Sequence, residues 1–323
     1  MRIPLFYCGN ENIYYLLMAS IQSLKNNRDL NSYYDIYIIM ETKFEDKKIE
    51  TLKRYIDKNI TINFIEFEEK YAKLLTDVNE ERITKGAYIR IFIPHIIKDL
   101  KLNFNKAIYV DCDTIMMSDL KPLYDMDVSE FSCLMFQEYN RNPNDTGFKG
   151  CIVRQDQAVF NSGVILYNVD KYLTKSNELF RGLFNKDIQK KHDESLLNYV
   201  LNETIGFLPL RYNCVNIFDM YDKKKASQNI VNCYRVQNPL IKHNFNDIYN
   251  ELKNVCIIHY VSKPWAPFSN AGFTWFNVFM DACKDQTELS DFLKWIVENK
   301  PMEFVKIDNK PHPLLNPVLR HIM

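Results

Sequence analysis

The chain has 323 residues, 46% of them hydrophobic and 25% charged, which allows one large buried core and excludes a disordered polymer. Its 41 Lys+Arg offset 41 Asp+Glu, so it lacks the global positive charge expected of a nucleic-acid binder. No run approaches the about 18 apolar residues of a membrane span, and the opening "MRIPLFYCGNENIYY" lacks the charged-then-apolar order of a signal peptide.

The opening predicts a strand, "RIPLFYC", a turn, "GNEN", and a helix whose Ile13, Leu17, Ile21 and Leu24 share one face. "YDIYIIM" reads as a second strand, "KFEDKKIETLKRYID" as a polar-faced helix and "ITINFIEF" as a third strand. Thr84 to Leu100 reads as one helix, with Tyr88, Ile91, Phe92 and Ile96 on one side. "KAIYVD" follows as an apolar strand. This strand–helix alternation predicts an α/β fold with a mostly parallel sheet flanked by helices. Further on, "FSCLMF", "SGVILYN" and "NVCIIHY" read as strands, and "DKYLTKSNELFRGLF" and "DESLLNYVL" as helices. A boundary is expected near Trp265, dividing a domain over 1–265 from a small helical extension over 266–323 with helices near 272–283 and 287–299. That extension is expected to pack on the domain. Its apolar "FTWFNVFMDACK" also suits a peripheral membrane contact. The eight cysteines contain no C-x-x-C pair, which argues against a zinc ribbon or a thioredoxin motif. Several lie in apolar runs, so free thiols and a cytoplasmic location are expected.

"AIYVDCDTIMMSDL" ends an apolar run in two acids, Asp111 and Asp113. Burying both is costly without a partner. Strand ends in open α/β sheets are ligand sites, and residues i and i+2 of an extended chain face one side. The pair is therefore a candidate for Mn²⁺ or Mg²⁺. The plainer alternative is one turn-capping and one solvated Asp. His259 ends another apolar run and is a third candidate ligand, or a satisfied surface residue. Lys263 suits a phosphate, or solvent. Asp193 and Glu194 open a helix, where the dipole alone accounts for acids, or they face a substrate.

Taken in order, "FYCGNENIYYLLMASIQSL", "KGAYIRIFIP", "AIYVDCDTIMMSDL", "FNSGVILYN", "HDESLLN", "RYN" and "HYVSKPW" resemble glycosyltransferase family 8 over roughly residues 1–265. The resemblance implies a GT-A nucleotide-sugar-binding fold. It also implies a retaining, Mn²⁺-dependent transfer of glucose or galactose from UDP-glucose or UDP-galactose to a glycan, such as a bacterial lipopolysaccharide or other surface polysaccharide. By the same resemblance, Asp111, Asp113 and His259 bind the metal. Cys8, Asn10 and Asn12 lie in the nucleotide turn, with Arg90, Cys112, Ser162 and Lys263 also on the donor. Asn161 faces the donor sugar and Asp193 binds its hydroxyls. Glu194 serves as nucleophile, electrostatic stabiliser or hydrogen-bonding group. Related bacterial galactosyltransferases carry Asp at the position of Asn10 and Gln at that of Glu194. The alternatives are an inactive nucleotide-sugar-binding module and, from "YVDCDTI", a haloacid-dehalogenase-like phosphatase. The latter is disfavoured because its motif belongs after the first strand and this chain has no Asp-Asp dipeptide.

Overall fold

The structure is a computed structural model and describes residues 2–75, 85–138, 159–184, 192–215, 224, 227–228, 245–261, 272–283 and 285–299. Its strands are β1 (Arg2–Gly9), β2 (Tyr33–Met40), β3 (Ile60–Glu66), β4 (Lys106–Val110), β5 (Thr114–Met116), β6 (Cys133–Gln137), β7 (Phe160–Asn168), β8 (Ile205–Phe207), β9 (Cys214–Val215) and β10 (Ile257–His259). The α-helices are α1 (Tyr14–Asn27), α2 (Asp46–Lys53), α3 (Glu69–Ala72), α4 (Lys85–Tyr88), α5 (Ile93–Asp99), α6 (Lys121–Tyr124), α7 (Val169–Leu173), α8 (Ser176–Leu183), α9 (His192–Leu201), α10 (Phe245–Lys253), α11 (Gly272–Ala282) and α12 (Gln286–Asn299).

Seven strands form the central sheet in the order β3-β2-β1-β4-β7-β6-β8. Pairing is parallel except around β7, which runs antiparallel to β4 and β6. Both faces are covered, so the strands read as continuous apolar runs. Leu5, Tyr7, Ile36, Ile38, Ile108 and Val110 face one core, shared with Leu17, Ile21 and Leu24 of α1. Phe6, Cys8, Ile39, Ala107 and Tyr109 face the other, shared with Ile93, Ile96 and Ile97 of α5 and with Leu196, Leu197 and Leu201 of α9. A second sheet, β5-β10-β9, lies after the turn that follows β4. Strands of two or three residues carry no readable period, and sequence patterning misses β5 and β9.

Two expected helices are broken. The stretch over 84–100 is α4, a 3-10 turn (Ile89–Phe92) and then α5, with Thr84 itself outside the described residues. Pro94 stands in the first turn of α5, where its missing N–H costs nothing, so the chain restarts there. The helix expected from Asp170 splits into α7 and α8. The hydroxyls of Thr174 and Ser176 donate to the carbonyls of Lys171 and Leu173 at 2.7 and 2.6 Å, competing with helix continuation. The helix expected over 43–57 shortens to α2.

Trp275 and Phe279 of α11 and Phe292 of α12 are buried in the same core as α1. Tyr15 of α1 meets the rings of Phe279 and Phe292 at 5.9 and 5.0 Å. The expected boundary at Trp265 and the tail after Asn299 fall outside the described residues. The six described cysteines are free, and no helix among the described residues is long and apolar enough to cross a membrane.

His95 of α5 packs against Phe180 at 4.9 Å, with Nε2 2.8 Å from the Ser176 hydroxyl. Burial pulls its imidazole down to about 4, against the opposing charge of Asp99. The unfolded chain takes up this proton near pH 6.5, whereas the folded chain holds it only near 4. The stability from neutral His95 is therefore complete above pH 6.5 and lost as pH falls toward 4. Allowing for solvent at the ring edge, the effect is on the order of 1 kcal/mol. Thermal melts between pH 7.5 and 4.5 should show a smaller acid-induced drop in Tm for His95→Gln than for wild type. Equal drops would remove His95 as the cause.

Candidate active site

The site forms at the carboxyl end of β1 and β4, where a ligand site is expected in an α/β sheet. Asp111-Cys112-Asp113 is a turn between β4 and β5, not the extended run that the spacing suggests. The Thr114 hydroxyl closes it by donating to the Asp111 carbonyl at 2.6 Å. β10 pairs antiparallel with β5, His259 opposite Thr114, and the Tyr260 N–H donates to the Asp113 carbonyl at 2.8 Å. This register delivers His259 to the two acids. Its Nε2 lies 3.5 Å from Asp111 Oδ2 and 3.4 Å from Asp113 Oδ1. One ligand atom from each of the three residues fits within 4.8 Å of the others. Two carboxylates and one imidazole form a donor set that suits a divalent cation.

Without the cation, burial works to lower the His259 pKa, but Asp111 and Asp113 overcome it and push it up to about 9. Burial likewise raises Asp111, and the Arg90 charge and the His259 hydrogen bond outweigh it, holding the carboxyl below its ordinary value.

Gly163 makes room for His259. A Cβ there would lie 2.1 Å from Cε1 of the imidazole. Gly163 also accepts the Asp111 N–H at 2.7 Å. Gly163→Ala should displace His259, lowering the affinity for a divalent cation by about 10–100-fold, as orientation of a ligand is worth, without unfolding the chain. Metal titration beside a circular-dichroism spectrum checks this, and unchanged affinity would show that the imidazole has no part in binding.

The register of β7 with β6 shifts between Met135, opposite Ile165, and Phe136, opposite Asn161. Ser162–Val164 are left bulged, and bulges re-aim side chains beside functional sites. Site groups take up freed backbone polar atoms. The Ser162 carbonyl accepts from Arg90 Nη1 at 2.9 Å, and the Ser162 N–H donates to Glu194 Oε2 at 3.3 Å. At the strand start the Asn198 amide spans Phe160, accepting its N–H and donating to its carbonyl, both at 2.7 Å.

Arg90 is 7% exposed and joins two acids. Its Nη2 lies 2.9 Å from Asp111 Oδ1 and its Nε 3.1 Å from Asp193 Oδ2. Its guanidinium stacks 4.8 Å from the Tyr109 ring, whose hydroxyl donates to Asp111. Asp193 also accepts from the Ser162 hydroxyl at 3.0 Å. Asp193 and Glu194 stand in the first turn of α9, as the sequence implies.

Asn161 is 5% exposed and fully bonded within the protein. Its Nδ2 donates to Glu138 Oε1 at 2.9 Å and to Glu194 Oε2 at 3.2 Å. Its Oδ1 accepts from the Gly163 N–H and from Asn213 Nδ2, both at 2.9 Å. Sequence reasoning passes over Glu138, and it quotes Asn198, Asn213 and Gly163 within motifs without assigning them a role. Glu138 carried a usable signal, an acid just beyond an apolar strand, as at Asp111.

Gly9, the last residue of β1, has φ +154°, and a Cβ there would meet Ile13 at 2.9 Å. Asn10 accepts from the Asn12 N–H at 3.1 Å and donates to Glu41 Oε2 at 3.3 Å. Cys8 and Cys112 are buried, with the Cys112 thiol 3.7 Å from the Cys8 carbonyl. Lys263 lies outside the described residues.

A sequence model of glycosyl transferase family 8 matches residues 4–268. General stress protein A of Bacillus subtilis (strain 168) is 25% identical over 266 residues, 80% of this chain and 85% of that protein. A putative glycosyltransferase of Haemophilus influenzae is 26% identical over 136 residues, 41% of this chain and 39% of the relative. Among solved structures, the galactosyltransferase LgtC, in complex with donor and acceptor sugar analogs, superposes with a TM-score of 0.63 at 16% identity. That match covers 90% of this chain and 99% of LgtC. GlyE of Streptococcus pneumoniae TIGR4 superposes with a TM-score of 0.56 at 20% identity, over 97% of this chain and 67% of its own. With the family match spanning most of the chain, and the α/β sheet and site geometry in agreement, the chain belongs to glycosyltransferase family 8 and is a glycosyltransferase of the GT-A fold.

Proposed function

We propose that the enzyme transfers glucose or galactose from a UDP-sugar to a sugar hydroxyl of a bacterial surface glycan, with Mn²⁺ bound and the anomeric configuration retained. The observation that carries this reading is the convergence of Asp111, Asp113 and His259 beside the buried Arg90–Asp193 pair. The name of LgtC, a galactosyltransferase, agrees with a hexose donor. In the transfer, the bond from the anomeric carbon to the UDP oxygen breaks and a bond to the acceptor oxygen forms. The acceptor proton leaves with UDP or passes to solvent.

Asp111, Asp113 and His259 would hold the cation, which would offset the charge growing on the departing diphosphate. Arg90 holds the Asp111 carboxylate in place and fixes Asp193 for sugar hydroxyls. Lys263 is assigned to the diphosphate and Asn10 and Asn12 to the base. Glu194 serves as a hydrogen-bonding and electrostatic group, in keeping with its Oε2 receiving both Asn161 Nδ2 and the Ser162 N–H. Glu194→Gln should therefore keep turnover within about tenfold of wild type. A loss of about 10³-fold or more would overturn that role, and a covalent sugar trapped on Glu194 would identify a nucleophile.

The direct test is UDP release from a panel of UDP-sugars, with Mn²⁺ and with chelator. Slow hydrolysis of one donor, lost on chelation, is expected and names the sugar. No release from any donor would overturn the reading.

A further inference from the structure

We infer that Asn213 and Asn161 are positioning residues forming a relay of fixed direction, which sets the tautomer of His259 at one end and holds the carboxylates of Glu138 and Glu194 at the other. The inference rests on the metal reading above and extends it to the fully buried Asn213 and to the bonds that hold Asn161.

The direction follows from one backbone group. The Gly163 N–H can only donate, and it points at Asn161 at 2.9 Å. The Asn161 atom facing it must be the oxygen. The Asn213 atom 2.9 Å from that same oxygen must then be the nitrogen. Asn213 consequently turns its own oxygen to His259 Nδ1, 2.9 Å away. That oxygen only accepts, so Nδ1 must carry the proton. Nε2 faces Asp111 and Asp113, at 3.5 and 3.4 Å, and is the nitrogen that would give up its proton to a metal. At the other end, the Asn161 nitrogen divides its two hydrogens between Glu138 and Glu194.

No link is exposed to solvent competition. Asn213 is 0%, His259 3% and Asn161 5% exposed. Asn213 is placed by chain geometry, since it immediately precedes β9, which pairs with β10 so that Cys214 stands opposite Ile258. Flipping either amide would set oxygen against oxygen, or an N–H against the protonated Nδ1. The chain therefore has one arrangement.

The two ends can be separated by substitution. Asn213→Ala removes the acceptor for His259 and should raise the Kd for Mn²⁺ alone, read by electron paramagnetic resonance without nucleotide, by about 10–100-fold. Asn213→Asp keeps an acceptor for Nδ1 but has no hydrogen for Asn161. Its Mn²⁺ Kd should stay within about threefold of wild type, while kcat for UDP release falls by about three- to tenfold, because Asn161 no longer orients the glutamates. Asn213→Ala with wild-type affinity, or Asn213→Asp with wild-type kcat, would overturn the relay. If Asn213→Ala does not fold, the near-isosteric Asn213→Asp decides alone. Wild-type protein that binds no Mn²⁺ overturns the metal reading and the relay with it. Mn²⁺ binding without UDP release from any UDP-hexose would overturn only the donor assignment, and the Kd measurements would still decide the His259 end of the relay.

Discussion

Asp111→Asn should reduce Mn²⁺-dependent UDP release by about 10³-fold or more while leaving the chain folded. The amide has almost the size of the carboxylate and keeps an oxygen for the Tyr109 hydroxyl and Arg90, the partners that hold Asp111 now. What it loses is the charge and one ligand of three. A cation offsetting the charge on a leaving diphosphate is worth several kcal/mol, and about 4 kcal/mol corresponds to 10³ in rate. Arg90 keeps its second partner, Asp193, so its own charge is not stranded. The informative measurement is turnover against Mn²⁺ concentration with Tm recorded in parallel. Lost turnover at near-native Tm is expected. Wild-type turnover would refute a metal role for Asp111.

The site and the fold were legible in the sequence to different depths, for physical reasons. Long runs with a clear period, such as β1, β2 and α1, announce themselves because burial on a known face dictates each residue. Asp111, Asp113 and His259 were findable because an ionisable group at the end of an apolar run is costly without a partner, whereas Asp193, an acid opening a helix, gained its role only from the resemblance. Their convergence was expected from extended geometry and is reached instead through a turn and the β5–β10 register. Nothing local encodes that register, since β5 and β10 have three residues each. Asn213 escaped for another reason, and Asn161 came only with the family resemblance. A neutral amide at a loop or strand start is compositionally ordinary, and its role appears only when its partners, 46 and 52 residues from Asn213, are brought to it. Gly163 belongs to the same class, because the side chain it accommodates is His259. The Gly carried by "FNSG" could be quoted as a motif, but its cause is tertiary.

Arg90 should show the largest effect on stability. A buried ion pair is weak evidence of net stabilisation, but removing one partner strands the other at about 3–5 kcal/mol. Arg90 serves two acids, and its Nη1 also satisfies the Ser162 carbonyl of the bulge at 2.9 Å. Arg90→Met keeps much of the volume and removes every one of these bonds, so a loss of about 3–5 kcal/mol is expected at pH 7. At roughly 2–4 °C per kcal/mol, Tm should fall by about 10 °C. Arg90→Lys retains the charge but not the fork, so it can serve one acid well and not both. It should fold better than Arg90→Met and still lose turnover by about 100-fold, because Asp111 and Asp193 are no longer held to each other. The pH dependence carries a separate signature. Arg90 is a main cause of the lowered Asp111 pKa, so the stability it gives through Asp111 is present above the ordinary carboxylate range and lost as pH falls through the lowered value. The gap between wild type and Arg90→Met should be widest near neutral pH and narrow below about 4, where the stranded Asp111 takes up a proton. A gap that stays constant down to pH 3 would mean that Arg90 stabilises the chain by packing over Tyr109 rather than by charge.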